Sequence, residues 1–404
     1  MAKNPNNPDI NLLARLAANP TTRRRFLGGG GAAAAGLILG PSFLAACGSK
    51  DSGSSGGPAT ATSDDGSPAT GSLRISNWPL YMADGFVAAF QTASGLQVDY
   101  KEDYNDNEEW FAKNKEPLSR KQDIGADLVV PTQFMALRLK RQGWLNEISE
   151  TRVGNRKNLR PDLLNDTSDP GRKYTAPYMT GMVGLAYNKA ATGRPITKID
   201  DLWDPAFKGK VSLLTEMRDT VGLVALGQGV DLSKPTFSAM EKALEILEKQ
   251  VADGQVRQFT GNDYMDDLTQ GNFAACVGWS GDIAQLSRDN PDVRFVVPES
   301  GGTLWSDVML IPKGAKHTSA AAKWMDFVYD PVNAARITNF VQYVSPVKGV
   351  AEELTKMGGD AAALVDNPLI FPDEATLANL NSWGNLSEDD EAKLDAAFSK
   401  IAGN

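Results

Sequence analysis

Four short segments of this 404-residue chain combine aromatic side chains with carboxylates or hydroxyls in surroundings typical of loops. Aromatic faces attract ammonium groups, and a carboxylate adds a charge-assisted hydrogen bond. The segments therefore predict a site for an organic cation, with aromatic walls against its methylene groups. They are Asn77-Trp78-Pro79-Leu80-Tyr81, Val129-Val130-Pro131-Thr132-Gln133-Phe134, Gly278-Trp279-Ser280-Gly281-Asp282 and Leu304-Trp305-Ser306-Asp307.

The places of these segments along the chain strengthen that prediction. A single tryptophan is usually a core residue, and a single aspartate after glycine is usually a turn or a helix cap. Three of the four segments, however, follow a predicted strand, and the fourth lies near a predicted crossover. The carboxyl ends of strands in doubly wound sheets face the ligand crevice. We therefore expect the four segments to meet in one cleft.

The elements that position the first two segments alternate between strand and helix. Strands are predicted at 73–76, 96–100 and 127–131, the last as a continuous apolar run typical of a buried parallel strand. Helices are predicted at 84–93, from about Glu108 with Asn107 as its cap, and at 133–142. This β-α-β-α-β order indicates a doubly wound sheet with right-handed crossovers.

A second series of elements begins after Tyr178. Strands are predicted at 182–187, 210–214 and 273–277, and helices at 235–250 and 318–329. The segments 293–298 and 308–312 are predicted as strands that cross between the two halves. Two α/β lobes in one body place a ligand in the cleft between them.

Composition narrows the possible functions. The chain is acidic, with a formal net charge of −9, which disfavours binding to nucleic acid. His317 is its one histidine, so a histidine triad or a multi-histidine metal site is nearly excluded, and we expect no metal and no cofactor. Cys276 lies in an apolar run typical of a buried small residue. Carboxylate and Ser–Lys mechanisms stay open.

The N-terminal region has the features of an export signal. Arg23-Arg24-Arg25-Phe26-Leu27 precedes a short run rich in Gly and Ala and resembles a twin-arginine signal. Leu44-Ala45-Ala46-Cys47 resembles a lipobox, which implies that Cys47 is lipidated after removal of residues 1–46. A transmembrane anchor is the alternative, but the run is weakly hydrophobic. Residues 47–71, rich in Gly, Ser and Thr, are predicted to form a flexible tether.

Over nearly all of residues 72–404 the chain resembles the polyamine-binding receptors of bacterial ABC transporters, of the putrescine/spermidine type. Besides the four segments, the markers are Pro177-Tyr178 and Asp201-Leu202-Trp203-Asp204-Pro205, followed by Lys208-Gly209-Lys210-Val211. The resemblance implies a type II periplasmic-binding-protein fold. Lobe one is expected to comprise 72–178 plus about 305–345, and lobe two 179–304 plus about 346–404.

The resemblance also implies roles for individual residues. Trp78, Tyr81, Trp279 and Trp305 match the family's aromatic box. Asp307 matches an acid that binds an amine, and Asp282 matches an acid of the putrescine type. Thr132 stands where the family usually has a serine that contacts the ligand.

Some positions depart from the family pattern. Leu80 replaces a residue that is often acidic, and Phe134 replaces a tyrosine of the spermidine type. Met217 and Thr220 stand where the family often carries acids, and Asp219 lies beside them, as does Glu216. We therefore expect Phe134, Asp219 and Thr220 as weaker candidates for ligand contact.

The function implied is that of an extracytoplasmic lipoprotein, periplasmic or on the cell-envelope side. It captures a polyamine and passes it to the permease subunits of an ABC transporter. It is not expected to be an enzyme. The alternatives are a receptor of the same fold for another organic cation or small solute and, more remotely, an extracytoplasmic carboxylate-based enzyme.

Overall fold

The computed structural model describes residues 68–164 and 169–403. The export segment, Cys47 and most of the tether lie outside these residues. No helix of the described part is both long enough and apolar enough to cross a membrane.

The first sheet is parallel and has the strand order β2-β1-β3. It consists of β1 (Ser72–Asn77), β2 (Gln97–Glu102) and β3 (Leu128–Val129), with Ile75 opposite both Tyr100 and Leu128. Three consecutive strands in this order require two crossovers, which the intervening helices supply. The helix between β1 and β2 ends at Gly95, whose φ of 73° suits glycine. The first predicted βαβαβ unit is confirmed.

The second sheet has the order β10-β9-β4-β7-β5-β6, with β8 also paired to β4. The strands β5, β6 and β7 are mutually parallel, whereas β4 runs antiparallel to β7, β8 and β9. The bounds are β4 (Ala176–Asn188), β5 (Val211–Leu214), β6 (Val256–Thr260), β7 (Ala275–Trp279), β8 (Val293–Val296), β9 (Gly302–Met309) and β10 (Leu380–Asn381).

Two long neighbouring strands connect the sheets. β9 pairs with β4 along its length, from Ala176 opposite Met309 to Val183 opposite Thr303. Directly after β9, Leu310 exchanges two backbone hydrogen bonds with Val129 of β3, at 3.0 and 3.1 Å. β4 and β9 therefore belong to the second sheet at one end and border the first sheet at the other. The predicted two-lobe α/β architecture is confirmed.

The helices are α1 (Phe86–Ser94), α2 (Asn107–Ser119), α3 (Gln133–Arg141), α4 (Pro161–Leu164), α5 (Lys189–Thr192), α6 (Met217–Gly227), α7 (Phe237–Ala252), α8 (Tyr264–Gln270), α9 (Ser280–Asp289), α10 (Thr318–Val328), α11 (Pro331–Val341), α12 (Val350–Met357), α13 (Gly359–Ala363), α14 (Glu374–Ala378) and α15 (Glu388–Ala402). An aromatic cluster joins α1 to α10, with Phe90 4.9 Å and Phe86 5.6 Å from the ring of Trp324. This cluster forms part of the apolar core beside the first sheet.

Three predictions about these elements are wrong in detail. The cap of α2 is Asp106, whose side chain accepts a hydrogen bond from the backbone of Glu109, and Asn107 is the first helical residue. β8 pairs only with the end of β4, from Leu185 onward, so it does not cross between the sheets. The other crossing strand is β4, which begins six residues before the predicted 182–187. Its residues are buried almost continuously, so no alternation of polar and apolar residues marks its start.

Candidate functional site

A cleft of about 490 Å³ lies where the strands of both sheets end. The loop after β1, the start of α3, the starts of α6 and α9, and β9 all contribute side chains to it. All four segments singled out from the sequence reach this cleft. Nine of the ten candidate residues line it: Trp78, Tyr81, Thr132, Phe134, Asp219, Trp279, Asp282, Trp305 and Asp307.

The tenth candidate, Thr220, does not line the cleft. Its hydroxyl donates a hydrogen bond of 2.7 Å to the carbonyl of Leu214, and its side chain is fully buried. Met217, at the other position where the family often has an acid, is also buried away from the cleft. Glu216 and Asp219, three residues apart at the start of α6, line the cleft instead. The start of α6 therefore contributes two carboxylates.

Two tryptophans that line the site lie edge to face against each other. The rings of Trp78 and Trp279 are 6.4 Å apart at an interplanar angle of 69°. The Trp78 indole donates to the carbonyl of Val130 at 2.8 Å and packs 4.5 Å from Tyr104. The Trp279 indole donates to Oδ2 of Asp219 at 2.7 Å. Since each indole nitrogen has a partner, both ring faces are held in place.

Asp307 is the carboxylate best placed to receive a cation. It is 4% exposed, and Oδ2 accepts a hydrogen bond of 3.0 Å from the Tyr81 hydroxyl. Oδ1 has no hydrogen-bond partner among the described residues. Burial raises the pKa of Asp307 to about 7. A buried carboxylate oxygen without a donor is costly unless a ligand supplies one.

Asp282 is held by a fuller set of donors. Its Oδ1 accepts from the Tyr343 hydroxyl at 2.8 Å. Its Oδ2 accepts from the Tyr264 hydroxyl at 2.9 Å and from Asn262 at 3.0 Å. Burial nevertheless raises the pKa of Asp282 above its ordinary value, because these neutral donors do not offset the loss of water.

Glu216 and Asp219 complete the acidic lining. Oε1 of Glu216 accepts from both the backbone and the side-chain nitrogen of Asn107, at 3.0 and 2.7 Å. Burial, together with the charges of Asp106 and Asp219, raises the pKa of Glu216 well above its ordinary value. Burial also raises the pKa of Asp219 to about 7. Burial thus raises the pKa of four carboxyl groups in one cleft, and a cationic ligand would favour their charged forms.

The remaining candidates have different surroundings. The Thr132 hydroxyl accepts a 3.0 Å hydrogen bond from Asn107, and its backbone pairs with that of Asp307. The indole nitrogen of Trp305 is buried without a partner among the described residues. One face of Phe134 is already covered, because the Arg218 guanidinium lies 4.0 Å from its ring centre.

Sequence reasoning missed Tyr343. Its ring lies 5.2 Å from Trp305 and 5.6 Å from Tyr81, and its hydroxyl holds Asp282. It follows Gln342, whose φ of 57° turns the chain out of α11 toward β4, where Val344 pairs with Thr180. No sequence motif marks a tyrosine that directly follows the end of a helix, so Tyr343 could not be recognised from the sequence.

Two glycines make room for these aromatic rings. A Cβ at Gly181 would lie 2.3 Å from the Trp305 ring, and one at Gly281 would lie 2.4 Å from the Tyr343 ring. Leu80, between Trp78 and Tyr81, has a φ of 56°, which is uncommon for a side chain of this size. Strain of this kind clusters at ligand sites.

No cysteine or histidine is among the described residues that line the cleft. Cys276 is buried, and burial raises the pKa of its thiol. No group of histidine, cysteine and acidic residues capable of holding a metal occurs in the described ranges. Aromatic rings and buried carboxylates that line one cleft are suited to binding a cationic solute.

Comparison of the sequence with protein families places this two-lobed chain among solute-binding proteins. The model of the bacterial extracellular solute-binding proteins matches residues 85–371. The chain is a member of this family. Its role is therefore extracellular or periplasmic solute binding.

Curated relatives cover most of the chain. Spermidine/putrescine-binding periplasmic protein 1 of Haemophilus influenzae is 27% identical over 341 residues, which is 83% of this chain and 89% of that protein. The putrescine-binding periplasmic protein SpuD of Pseudomonas aeruginosa is 29% identical over 355 residues, with 81% and 91% covered.

Solved structures agree with the fold. A spermidine/putrescine ABC transporter structure from Listeria monocytogenes is 25% identical, with a TM-score of 0.72, and covers 82% of this chain and 98% of that one. The Tp0655 lipoprotein of Treponema pallidum, at 21% identity and a TM-score of 0.66, supports the fold alone.

Proposed function

We propose that this chain captures a polyamine of the putrescine or spermidine class and delivers it to the permease of an ABC transporter. The observation that carries the proposal is the set of buried carboxylates that lines the cleft together with the Trp78 and Trp279 rings. Ammonium groups would restore the charge balance, while the rings cover the methylene chain. The names of the curated relatives support the same ligand class.

Closure of two lobes over the ligand is part of the proposal. The proposed lobes are 72–178 plus about 305–345 and 179–304 plus about 346–404. Arg160 and Lys348 donate backbone hydrogen bonds that tie 158–160 to 346–348, which favours a boundary slightly beyond residue 345. Contacts shared by both lobes would favour the closed form, because only a difference in affinity moves the equilibrium.

We further propose that residues 1–46 are removed on export and that Cys47 carries a lipid anchoring the receptor to the membrane. The support is the sequence Leu44-Ala45-Ala46-Cys47 behind a basic and apolar stretch. Mass spectrometry of the membrane fraction tests this: an acylated peptide starting at Cys47 is expected, and an unmodified Cys47 would contradict the proposal.

Thermal unfolding of residues 48–404 tests the ligand class. Putrescine, cadaverine, spermidine and spermine are compared with neutral amino acids and sugars. A ligand at ~100 times its dissociation constant adds about 2.7 kcal/mol to stability, which gives a measurable shift. A shift with one polyamine supports the proposal. Stabilisation only by another organic cation would support the alternative receptor, and turnover of a substrate would support the remoter enzyme.

A further inference from the structure

One end of the cleft already contains a cation from the chain itself. The Arg218 guanidinium lies 4.0 Å from the ring centre of Phe134 and 6.0 Å from that of Trp383. It also donates a hydrogen bond of 2.7 Å to Oε1 of Glu391. Two aromatic rings and a carboxylate around one positive charge are the arrangement expected for a bound ammonium.

This cage is assembled from distant parts of the chain. Phe134 belongs to α3, Trp383 follows β10, and Glu391 belongs to α15. The Trp383 indole donates to the carbonyl of Arg218 at 3.1 Å. The Trp383 ring packs closely against Gly222, where an added Cβ would lie 3.0 Å from the indole nitrogen. Since all three groups line the same cleft, the cage continues the ligand site.

The electrostatic state of the cage differs from that of the acidic end. Although burial acts in the opposite direction, Arg218 and Arg138 hold the pKa of Glu391 below its ordinary value. At the acidic end burial raises the pKa values of Asp219 and Asp307. Arg218 also acts on Asp219, whose pKa it lowers against the larger effect of burial, so the guanidinium lies within electrostatic reach of the acidic residues.

Around Glu391 three arginines meet three carboxylates at distances of 3.0 Å or less. Removal of one arginine leaves an excess negative charge, which the ammonium group of a ligand could compensate. The arginines are Arg138, Arg141 and Arg218, and the carboxylates are Glu108, Glu391 and Asp395.

We propose that Arg218 acts as an internal ammonium, filling the cation position between Phe134, Trp383 and Glu391 and restricting the ligand to a short diamine. The inference rests on the proposed function and narrows it. A triamine that reached past the Trp78–Trp279 pair would meet the guanidinium, which occupies the space and repels a like charge. Arg218 is thus the residue that sets ligand length.

The test measures the ratio of association constants for spermidine and putrescine by titration calorimetry. Wild type is expected to prefer putrescine. Arg218→Ala opens the cage, and the spermidine-to-putrescine ratio should rise by about tenfold, the effect of one ammonium against rings and a carboxylate. Arg218→Met keeps an unbranched apolar chain between the rings and removes the charge, so a smaller rise, about threefold, is expected.

Arg336→Ala is the matched control. Its guanidinium lies 5.7 Å from the ring centre of Phe86, outside the cleft. Circular dichroism establishes that each variant folds, and Arg218→Met keeps the test open if the alanine variant does not. A purely structural arginine would alter stability without changing the preference for ligand length.

The outcomes separate this inference from the proposed function. If no linear amine binds to wild type or to either Arg218 variant, the proposed function fails and the inference falls with it. If wild type binds polyamines but the ratio is the same in both Arg218 variants as in Arg336→Ala, only the inference is overturned. A wild-type preference for spermidine over putrescine also overturns it.

Discussion

The indole nitrogen of Trp279 donates a hydrogen bond of 2.7 Å to Oδ2 of Asp219. This contact joins the aromatic wall to the acidic lining. Because Asp219 fixes the angle of the indole, the ring face is available to a ligand only while the carboxylate keeps its place. The two residues are therefore expected to act together, and changes to them should be non-additive.

Trp279→Ala should weaken binding of the preferred polyamine by roughly 1–3 kcal/mol through loss of the cation–π contact and buried area. Trp279→Phe keeps a ring but removes the hydrogen-bond donor to Asp219. Its affinity for the polyamine should therefore lie between those of wild type and the alanine variant. Titration calorimetry measures both. Loss of folding in Trp279→Phe as well would identify the ring as a core element.

Asp307→Asn removes the charge opposite a ligand ammonium in a site shielded from water. The cost should be on the order of 3–5 kcal/mol, or a more than hundredfold increase in dissociation constant. Asp373→Asn is the control, because Asp373 caps α14 and lies outside the cleft. An affinity equal to that of wild type in Asp307→Asn would remove Asp307 from the binding residues.

Ligand affinity should rise with pH between about 6 and 8 and then level off. Asp219 and Asp307 have pKa values raised by burial to about 7, and both must lose a proton to pair with ammonium. Binding near neutral pH should therefore release protons. Calorimetry in buffers of different ionisation enthalpy measures this release, and a heat that is independent of the buffer would contradict the assignment.

The same pKa values predict how the stability of the unliganded protein changes with pH. Their folded-state values lie above the unfolded ones, so the two carboxyls bind protons more tightly in the folded protein. The stabilisation that the two carboxyl groups contribute to the folded state is complete below about pH 3.8 and is lost as the pH rises through about 7. Ligand-induced stabilisation should consequently be larger at about pH 8.5 than at about pH 5.5 in thermal unfolding.

Gly281→Ala should destabilise the protein by about 1–3 kcal/mol, because the new methyl group would lie 2.4 Å from the Tyr343 ring. Displacement of Tyr343 would also release Asp282 and weaken ligand binding. Gly154→Ala is the control, since its nearest neighbour is 3.9 Å away. Urea unfolding and ligand titration give the two readouts, and equal behaviour of the variants would count against the close contact.

The sequence allowed prediction of local elements more readily than of long-range partners. The strand predicted at 127–131 and the helix predicted at 84–93 rest on local signals, and the structure has β3 at Leu128–Val129 and α1 at Phe86–Ser94. The start of β4 at Ala176 was missed, because a strand buried on both faces has no alternating pattern. Whether a segment crosses between sheets depends on pairing across the chain, which composition does not reveal.

For the cleft, aromatic and acidic residues at strand ends could be located from their neighbours in sequence. Their partners could not: Asn107 holds Glu216, and Tyr343 holds Asp282, across long separations. Met217 and Thr220, which stand where the family often carries acids, do not line the cleft. Helix phase, rather than residue identity, decides that Glu216 and Asp219 reach the cleft.

The contribution of α15 has a consequence for the order in which the receptor becomes competent. Glu391 comes from the C-terminal helix, Glu388–Ala402, yet it lines the same cleft as Trp78 near the start of the described chain. A chain in which this helix has not yet packed against Arg138 and Arg218 thus has an unfinished binding pocket. Docking of the last helix is therefore expected to precede selective capture.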